Sequence, residues 1–539
     1  MEAPIIPICK RLLLASTLSF VAVAAPAHAD AGRDPVADYM QARVADADGA
    51  VALASQGYAR ALAARPTDAN AALHAYRAGL GAGDIALATR AAAVLPSAGQ
   101  APADLALLPL ATAAARGDVA GTQAAATALS RGALSVMVPA LRAWIAYSAG
   151  GDPAPAIAAA TASKNPVTQR LAAETAALLQ IARGDTAQGL KTVQALRETG
   201  SPVDLRLSAA QLLFGRGEAE AARTLLAGDD PALAALRRGA PAQPTLGYGV
   251  SRLLSRVAGD LADQDVAPLS IALTRTALIA HPDNDRARLL LAQALAGEGA
   301  TDQALATLDA VSATSPFAGT ARAARIAILT QAERSAEALA LARQEATQAD
   351  AGPAEWQRYA DQLGTANRYA DAAPWFRRIV DVRPGVWSAW LQYGGALEQA
   401  GDWPGARTAL QKAVALAPDE PLALNYLGYA QAERGVDVSA SIALLQRAHA
   451  LRPDDGSIAD SLGWAYFRNG DTARALPLIE RAAEGEPSNA EIGEHLGDVY
   501  WALGRRYEAR YAWAAAALNA APGDVSRLAA RIAKGPPAR

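Results

Sequence analysis

The chain holds one cysteine, Cys9, and it lies within the first ten of 539 residues. If the N-terminal leader is cleaved, no thiol remains for a disulfide, a thiolate nucleophile or a cysteine-ligated metal. Lysine is almost as scarce: Lys10, Lys164, Lys191, Lys412 and Lys534 are the whole set, so the cations are nearly all arginine. A formal net charge of −3 gives no basic face of the kind that holds nucleic acid, and no nucleic-acid partner is expected. Aromatic residues make up only 5%, which leaves a core built mainly from alanine and leucine. Such side chains let helices approach closely but bury little area per residue. With 52% apolar and 19% charged residues, disorder over most of the chain is excluded.

Catalytic constellations are missing too. The five histidines, His28, His74, His281, His449 and His495, are scattered and have no histidine partner at metal-ligand spacing. There is no GxSxG, no HExxH and no phosphate-cradling glycine loop. Asp229-Asp230 and Asp454-Asp455 read as turn or cap carboxylates. We expect no enzyme, no cofactor and no metal. The place left for hidden chemistry is the irregular stretch 227–281, where Tyr248, Ser251 and Asp260 lack an arranged nucleophile and base.

The start has the form of a secretory signal. Lys10 and Arg11 precede an apolar run, Leu12 to Ala25, and Ala27-His28-Ala29 offers a cleavage site before Asp30. Residues 1–29 are therefore expected to be removed on export to the periplasm. No later run reaches the roughly 20 apolar residues that cross a bilayer, so no integral membrane segment is expected after signal removal.

What the chain has instead is a beat. Small positions recur at Ala372, Ala406, Ala440, Ala475 and Ala509, in steps of 34, 34, 35 and 34. Trp356 and Trp390, Gly394 and Gly428, and Gly463 and Gly497 each lie 34 apart, and Pro384, Pro418, Pro453, Pro487 and Pro522 close the units. Backwards, Ala338 and Ala304 keep the register, and Ala54 and Ala88 show it near the start. A 34-residue period of paired helices is the mark of a helical solenoid, in which each unit packs only on its neighbours. Within a unit such as 456–486, Leu462, Gly463 and Tyr466 share one side of the first helix. Gly470-Asp471 makes the turn, Ala475, Ile479 and Ala482 face the crossing, and Pro487 ends the pair. The expected organisation is degenerate repeats over 30–226, an irregular helical connector at 227–282, repeats again over 283–350, a well-defined array at 351–522 and a C-terminal tail at 523–539. Eight of the nine tryptophans lie at or beyond residue 356; the ninth is Trp144.

Trp390, Tyr393, Gly394, Leu397, Gly401, Trp403, Ala406, Leu410, Ala413 and Pro418 together resemble the tetratricopeptide repeat superfamily, as do Leu462, Gly463, Tyr466, Gly470, Ala475, Ala482 and Pro487. Leu424 to Tyr429, Asp460 to Trp464 and Glu494 to Asp498 are similar to segments of exported proteobacterial members. The resemblance implies an all-α fold, a right-handed superhelical solenoid of antiparallel helix pairs, with a concave side that takes peptides or partner domains. It implies no reaction. The groove positions it carries over are Asn425, Tyr426, Tyr429 and Glu433, then Asp460, Ser461, Trp464, Phe467 and Arg468, then Glu491, Glu494, His495, Asp498 and Trp501. Aromatics beside carboxylates favour a protein or peptide partner with an Arg- or Lys-bearing segment. The family pattern that clamps a C-terminal carboxylate with lysines is absent; Asn425 alone fits it. The expected role is a scaffold or adaptor in the bacterial cell envelope, with a periplasmic chaperone-like client binder as the alternative.

Overall fold

The computed structural model describes residues 34–96, 101–198, 203–228, 230–262, 264 and 266–536. The expected leader, 1–29, lies outside the described residues. Among the described residues there are thirty α-helices, one short 3-10 helix and no strand. Many helices start on an aspartate or asparagine cap. Asp68 accepts from the N–H groups of Asn70 and Ala71, Asp118 from Gly121, Asp471 from Arg474 and Asn489 from Glu491 and Ile492. Each cap satisfies N–H groups that the first turn leaves without partners.

The beat reappears as backbone geometry. One residue at positive φ sits between the two helices of a pair: Gly49, Gly83, Gly117, Gly150, Gly184 and Gly217 in the first part of the chain, at steps of 34, 34, 33, 34 and 33. Further on it is Gly299, Glu333, Asn367, Gly401, Gly435, Gly470 and Gly504. Glycine takes this left-handed turn without steric cost, whereas Glu333 (φ 58°) and Asn367 (φ 56°) hold it against about 1–2 kcal/mol. The turns are thus regular even where the helix sequences have drifted.

The chain divides into two compact units: residues up to 225 with 239–303, and residues 226–238 with 304–536. In the first unit, successive pairs begin with the helices Pro35–Ala47, Ala69–Ala82, Leu107–Ala115, Val138–Ser148, Pro166–Arg183 and Val203–Gly215. The expected irregular helical connector, 227–282, carries the helices Pro231–Leu236, Leu246–Asp260 and Ala267–Ala280. Its helices Leu246–Asp260 and Ala267–Ala280 turn back across the face made by those first helices. Twelve of the fifteen residues of Leu246–Asp260 are buried. The Tyr248 hydroxyl donates to the Ser208 carbonyl (3.2 Å), Arg252 to that of Asp204 (2.8 Å), and Arg275 to those of Leu80 and Gly81 (2.8 and 2.9 Å). Trp144, the one tryptophan outside the C-terminal array, is the floor under this insert: it is buried, and a Cβ on Gly249 would run into its indole. The insert therefore fills the inner face of its own unit.

The second unit continues the pairs to Asn519. Small residues are needed where helices cross. A Cβ at Gly394 would meet Leu410 at 2.7 Å, one at Gly428 would meet Leu445 at 2.7 Å, and one at Gly463 would meet Ile479 at 2.5 Å. Ala372, Ala406, Ala475 and Ala509 are fully enclosed, but Ala440 is exposed and Ser441 takes its place in the series. The reason is one extra residue in the turn ahead of it, where Asp437 adds a second left-handed position after Gly435. The expected tail at 523–539 is helical over most of its described length. Pro522–Lys534 is a helix, and its Leu528 is buried among Ala509, Trp513, Ala516 and Ala520.

Candidate protein-interaction groove

Three helices of the second unit, Pro421–Glu433, Gly456–Arg468 and Ala490–Ala502, are the first members of successive pairs and touch in series. Their starts are set by Glu420, Asp455 and Asn489, whose side chains accept from the first-turn N–H groups. The roughly 34-residue spacing puts Tyr429, Trp464 and Asp498 at matching places on this face.

Of the residues expected there, Asp460, Trp464, Phe467 and His495 are buried and make up the wall itself. Asn425, Tyr426, Tyr429, Glu494, Asp498 and Trp501 are half-buried, while Glu433 and Glu491 are exposed. The wall is a connected network. The Trp464 indole stacks on His495, with centroids 3.9 Å apart and planes at 13°, and its N–H donates to Glu433 at 2.5 Å. Arg468 lies 3.6 Å from the same carboxylate. His495 Nδ1 donates to Asp460 Oδ2 at 2.8 Å. The Tyr429 hydroxyl donates to Glu491. Asp460 Oδ1 and Asn425 Oδ1 are buried without a hydrogen-bond partner.

Electrostatics follow from that geometry. Burial by itself would push the His495 imidazole down. The Asp460 carboxylate, by charge and hydrogen bond, with Glu491 and Glu433 beyond it, outweighs burial and holds the group above the ordinary histidine value. Burial, then the charge of Glu491, pushes the Tyr429 phenol up. Because the His495 value is raised on folding, its contribution to stability is complete below the unfolded value of about 6.5 and is lost as pH rises through the folded one. We expect the thermal midpoint of the second unit to fall across that window, and His495→Gln to flatten the profile. A wild-type midpoint constant from pH 5.5 to 8.5 would refute the assignment.

The distal end of the face is already occupied. Arg527 of Pro522–Lys534 pairs with Glu494, and Arg531 pairs with Glu494 (3.0 Å) and with Asp498. The Trp513 indole also donates to Asp498, at 3.1 Å. Trp501 packs against Trp513 (centroids 5.4 Å), carries Arg506 over its ring (3.7 Å) and is covered by Gly535. These contacts lay outside the sequence reading, although Arg527-Leu528 and Arg531 stand at the i, i+1, i+4 spacing of one helical side. Between the terminal helix and the wall lies a cavity of about 630 Å³, lined by Tyr429, Glu433, Trp464, Arg468 and Glu491 on one side and Asp524, Arg527 and Pro536 on the other. Among the described residues, no three His, Cys, Asp or Glu side chains are placed to hold a metal ion, and no helix is long and apolar enough to cross a membrane.

Stacked helix pairs with a small residue where they cross, and three first helices in contact in series, define a protein built of helical repeats. The tetratricopeptide repeat profile matches residues 360–421, 396–456 and 461–525, and a second profile of the same description matches 270–327. Residues 270–327, 360–456 and 461–525 are therefore tetratricopeptide repeats. A TPR repeat-containing protein of Pseudomonas aeruginosa is 38% identical over 89 residues, 16% of this chain and 15% of that protein. The Cellulose synthase 2 operon protein C of Komagataeibacter xylinus is 34% identical over 137 residues, 25% of this chain and 10% of that protein. The chain thus spans a small part of either relative's length. Among solved structures, a tetratricopeptide repeat protein from Parabacteroides merdae aligns at TM-score 0.37 and 14% identity, over 52% of this chain and 97% of that one. The second profile begins at residue 270, inside the segment expected to be an irregular connector.

Proposed function

We propose that this protein is a non-enzymatic scaffold or adaptor of the bacterial cell envelope, working in the periplasm, and that it holds a cationic partner segment on the groove of its second unit. The repeats themselves imply a protein partner. The observation that carries the choice of surface is the exposed pair Glu433 and Glu491 opening, beside Tyr429, on the 630 Å³ cavity. The equivalent face of the first unit is filled by the chain's own insert. Exposed carboxylates next to half-buried aromatics give an arginine-bearing segment both charge and stacking partners.

The test is periplasmic crosslinking with a tagged full-length chain, compared with Glu433→Lys/Glu491→Lys. One defined envelope protein should be captured, at least tenfold less by the variant. Equal capture by both would remove the groove from the mechanism, and many clients held equally well would favour chaperone-like binding instead. Mass spectrometry of the same preparation should find a mature chain beginning at Asp30; retention of Met1 would overturn the cleavage.

A further inference from the structure

We propose that the terminal helix Pro522–Lys534 is a tethered occupant of the acidic end of the groove, and that the partner displacing it is an amphipathic helix with two arginines one turn apart beside a leucine. The inference rests on the reading of this groove as a partner site and specifies what enters it. Three observations carry it.

The first is charge matching. Arg527 and Arg531 lie four residues apart on one side of the helix, and both reach Glu494, with Arg531 also on Asp498. The second is that the chain uses the same docking chemistry twice, with different strength. In the first unit, Arg256 on the insert helix meets Glu174 of a repeat helix at 3.1 Å, and twelve of that insert helix's fifteen residues are buried. The terminal helix buries one residue of thirteen, Leu528, and its Arg527 side chain remains about half exposed. The insert is buried along most of its length, whereas the terminal helix is seated by Leu528 against Ala509, Trp513 and Ala516 and by its ion pairs to Glu494 and Asp498. The third is the incomplete fit. The terminal arginines leave Glu433 and Glu491 to other partners, so a longer basic helix entering the cavity would meet carboxylates that the tethered one does not. The link allows exchange: Ala520 and Ala521 are both extended (ψ 151° and 149°), and no side chain caps the terminal helix at Ala521.

A tethered helix competes at an effective concentration near the millimolar range, which lowers the apparent affinity for any external helix. The experiment uses the full-length chain and a fluorescein-labelled, helix-stapled peptide of residues 521–534, read by anisotropy at low salt. Arg527→Glu/Arg531→Glu should expel the tethered helix by repulsion from Glu494 and Asp498. It should bind the peptide at least tenfold more tightly than the wild type. Adding Glu494→Gln should reduce that binding at least fivefold, and raising salt should weaken it. Circular dichroism melts verify folding; if the glutamate variant does not fold, Arg527→Gln/Arg531→Gln serves in its place. Equal affinity of wild type and variant, or no binding by a folded variant, would overturn the proposal, as would binding insensitive to Glu494→Gln. Failed exchange alongside intact, groove-dependent capture of an envelope protein would reject the tethered helix alone. Intact exchange without such capture would reject the envelope partner alone.

Discussion

Gly249→Ala is expected to destabilise the first unit by about 3 kcal/mol, at the upper end of the cost of overpacking a core. Alanine is normally the better helix residue, so propensity alone predicts a gain. The structure reverses the sign. The new methyl would be driven into the Trp144 indole, which is itself enclosed and has Tyr248 edge-on at 6.0 Å. Neither partner is the end of a flexible side chain, so relief requires the whole insert helix to lift from the repeat helices. Trypsin should then cut at Arg252 and Arg256, which the native unit protects, and the denaturant midpoint of the first unit should fall. Gly297→Ala is the control: it lies in a helix with nothing within 4 Å of the added Cβ, and there the substitution should be neutral or stabilising by up to about 1 kcal/mol. If both variants melt like the wild type, the insert is not seated as described.

Arg256→Met should cost about 3–5 kcal/mol at neutral pH, because it leaves a buried carboxylate without its main cation. Arg256 and Glu174 are both less than a tenth exposed and 3.1 Å apart, with Arg170 at 3.8 Å from Glu174 and Asp260 on the far side of Arg256. Burial pushes the Glu174 carboxyl up further than Arg256 pulls it down. A carboxyl whose folded value is raised contributes stability at low pH that is lost as pH rises through that value. The defect of Arg256→Met should therefore shrink as pH falls and Glu174 takes up a proton. Glu174→Gln should cost less, since Arg256 keeps Asp260. Glu174→Met/Arg256→Met should recover most of the loss, as expected when a buried pair is replaced by packing. A double variant no more stable than Arg256→Met would show that the pair contributes more than mutual neutralisation.

The elements most legible beforehand were those governed by local chemistry. Aspartate caps, the glycine at each turn and the small residue at each crossing act within a few residues of their own position. Gly470, Asp471, Ala475 and Ile479 therefore specify a turn and a crossing wherever they occur. The Ala440 reading slipped by one because an extra turn residue leaves the composition of the helix unchanged while shifting its register onto Ser441. The repeat register carries the expected groove residues onto one face, but their burial was not legible in it. Whether Trp464 is a free anchor or a buried wall depends on His495, 31 residues away, stacking on it, and on Glu433 accepting its N–H.

By itself the sequence determined the repeat: its period, its helix pairs and its small-residue crossings. These depend on interactions within one unit or between neighbours, and periodicity records them directly. The tertiary structure alone decided what fills the two inner faces. Leu246–Asp260 shows an amphipathic side in its sequence, but nothing local states that it lies on Trp144, Glu174 and Ser208. Likewise, Arg527 and Arg531 are two arginines near a chain end until the last turn of the solenoid brings them to Glu494. Long-range occupancy depends on where the stacked repeats carry a segment, and no local pattern encodes that path.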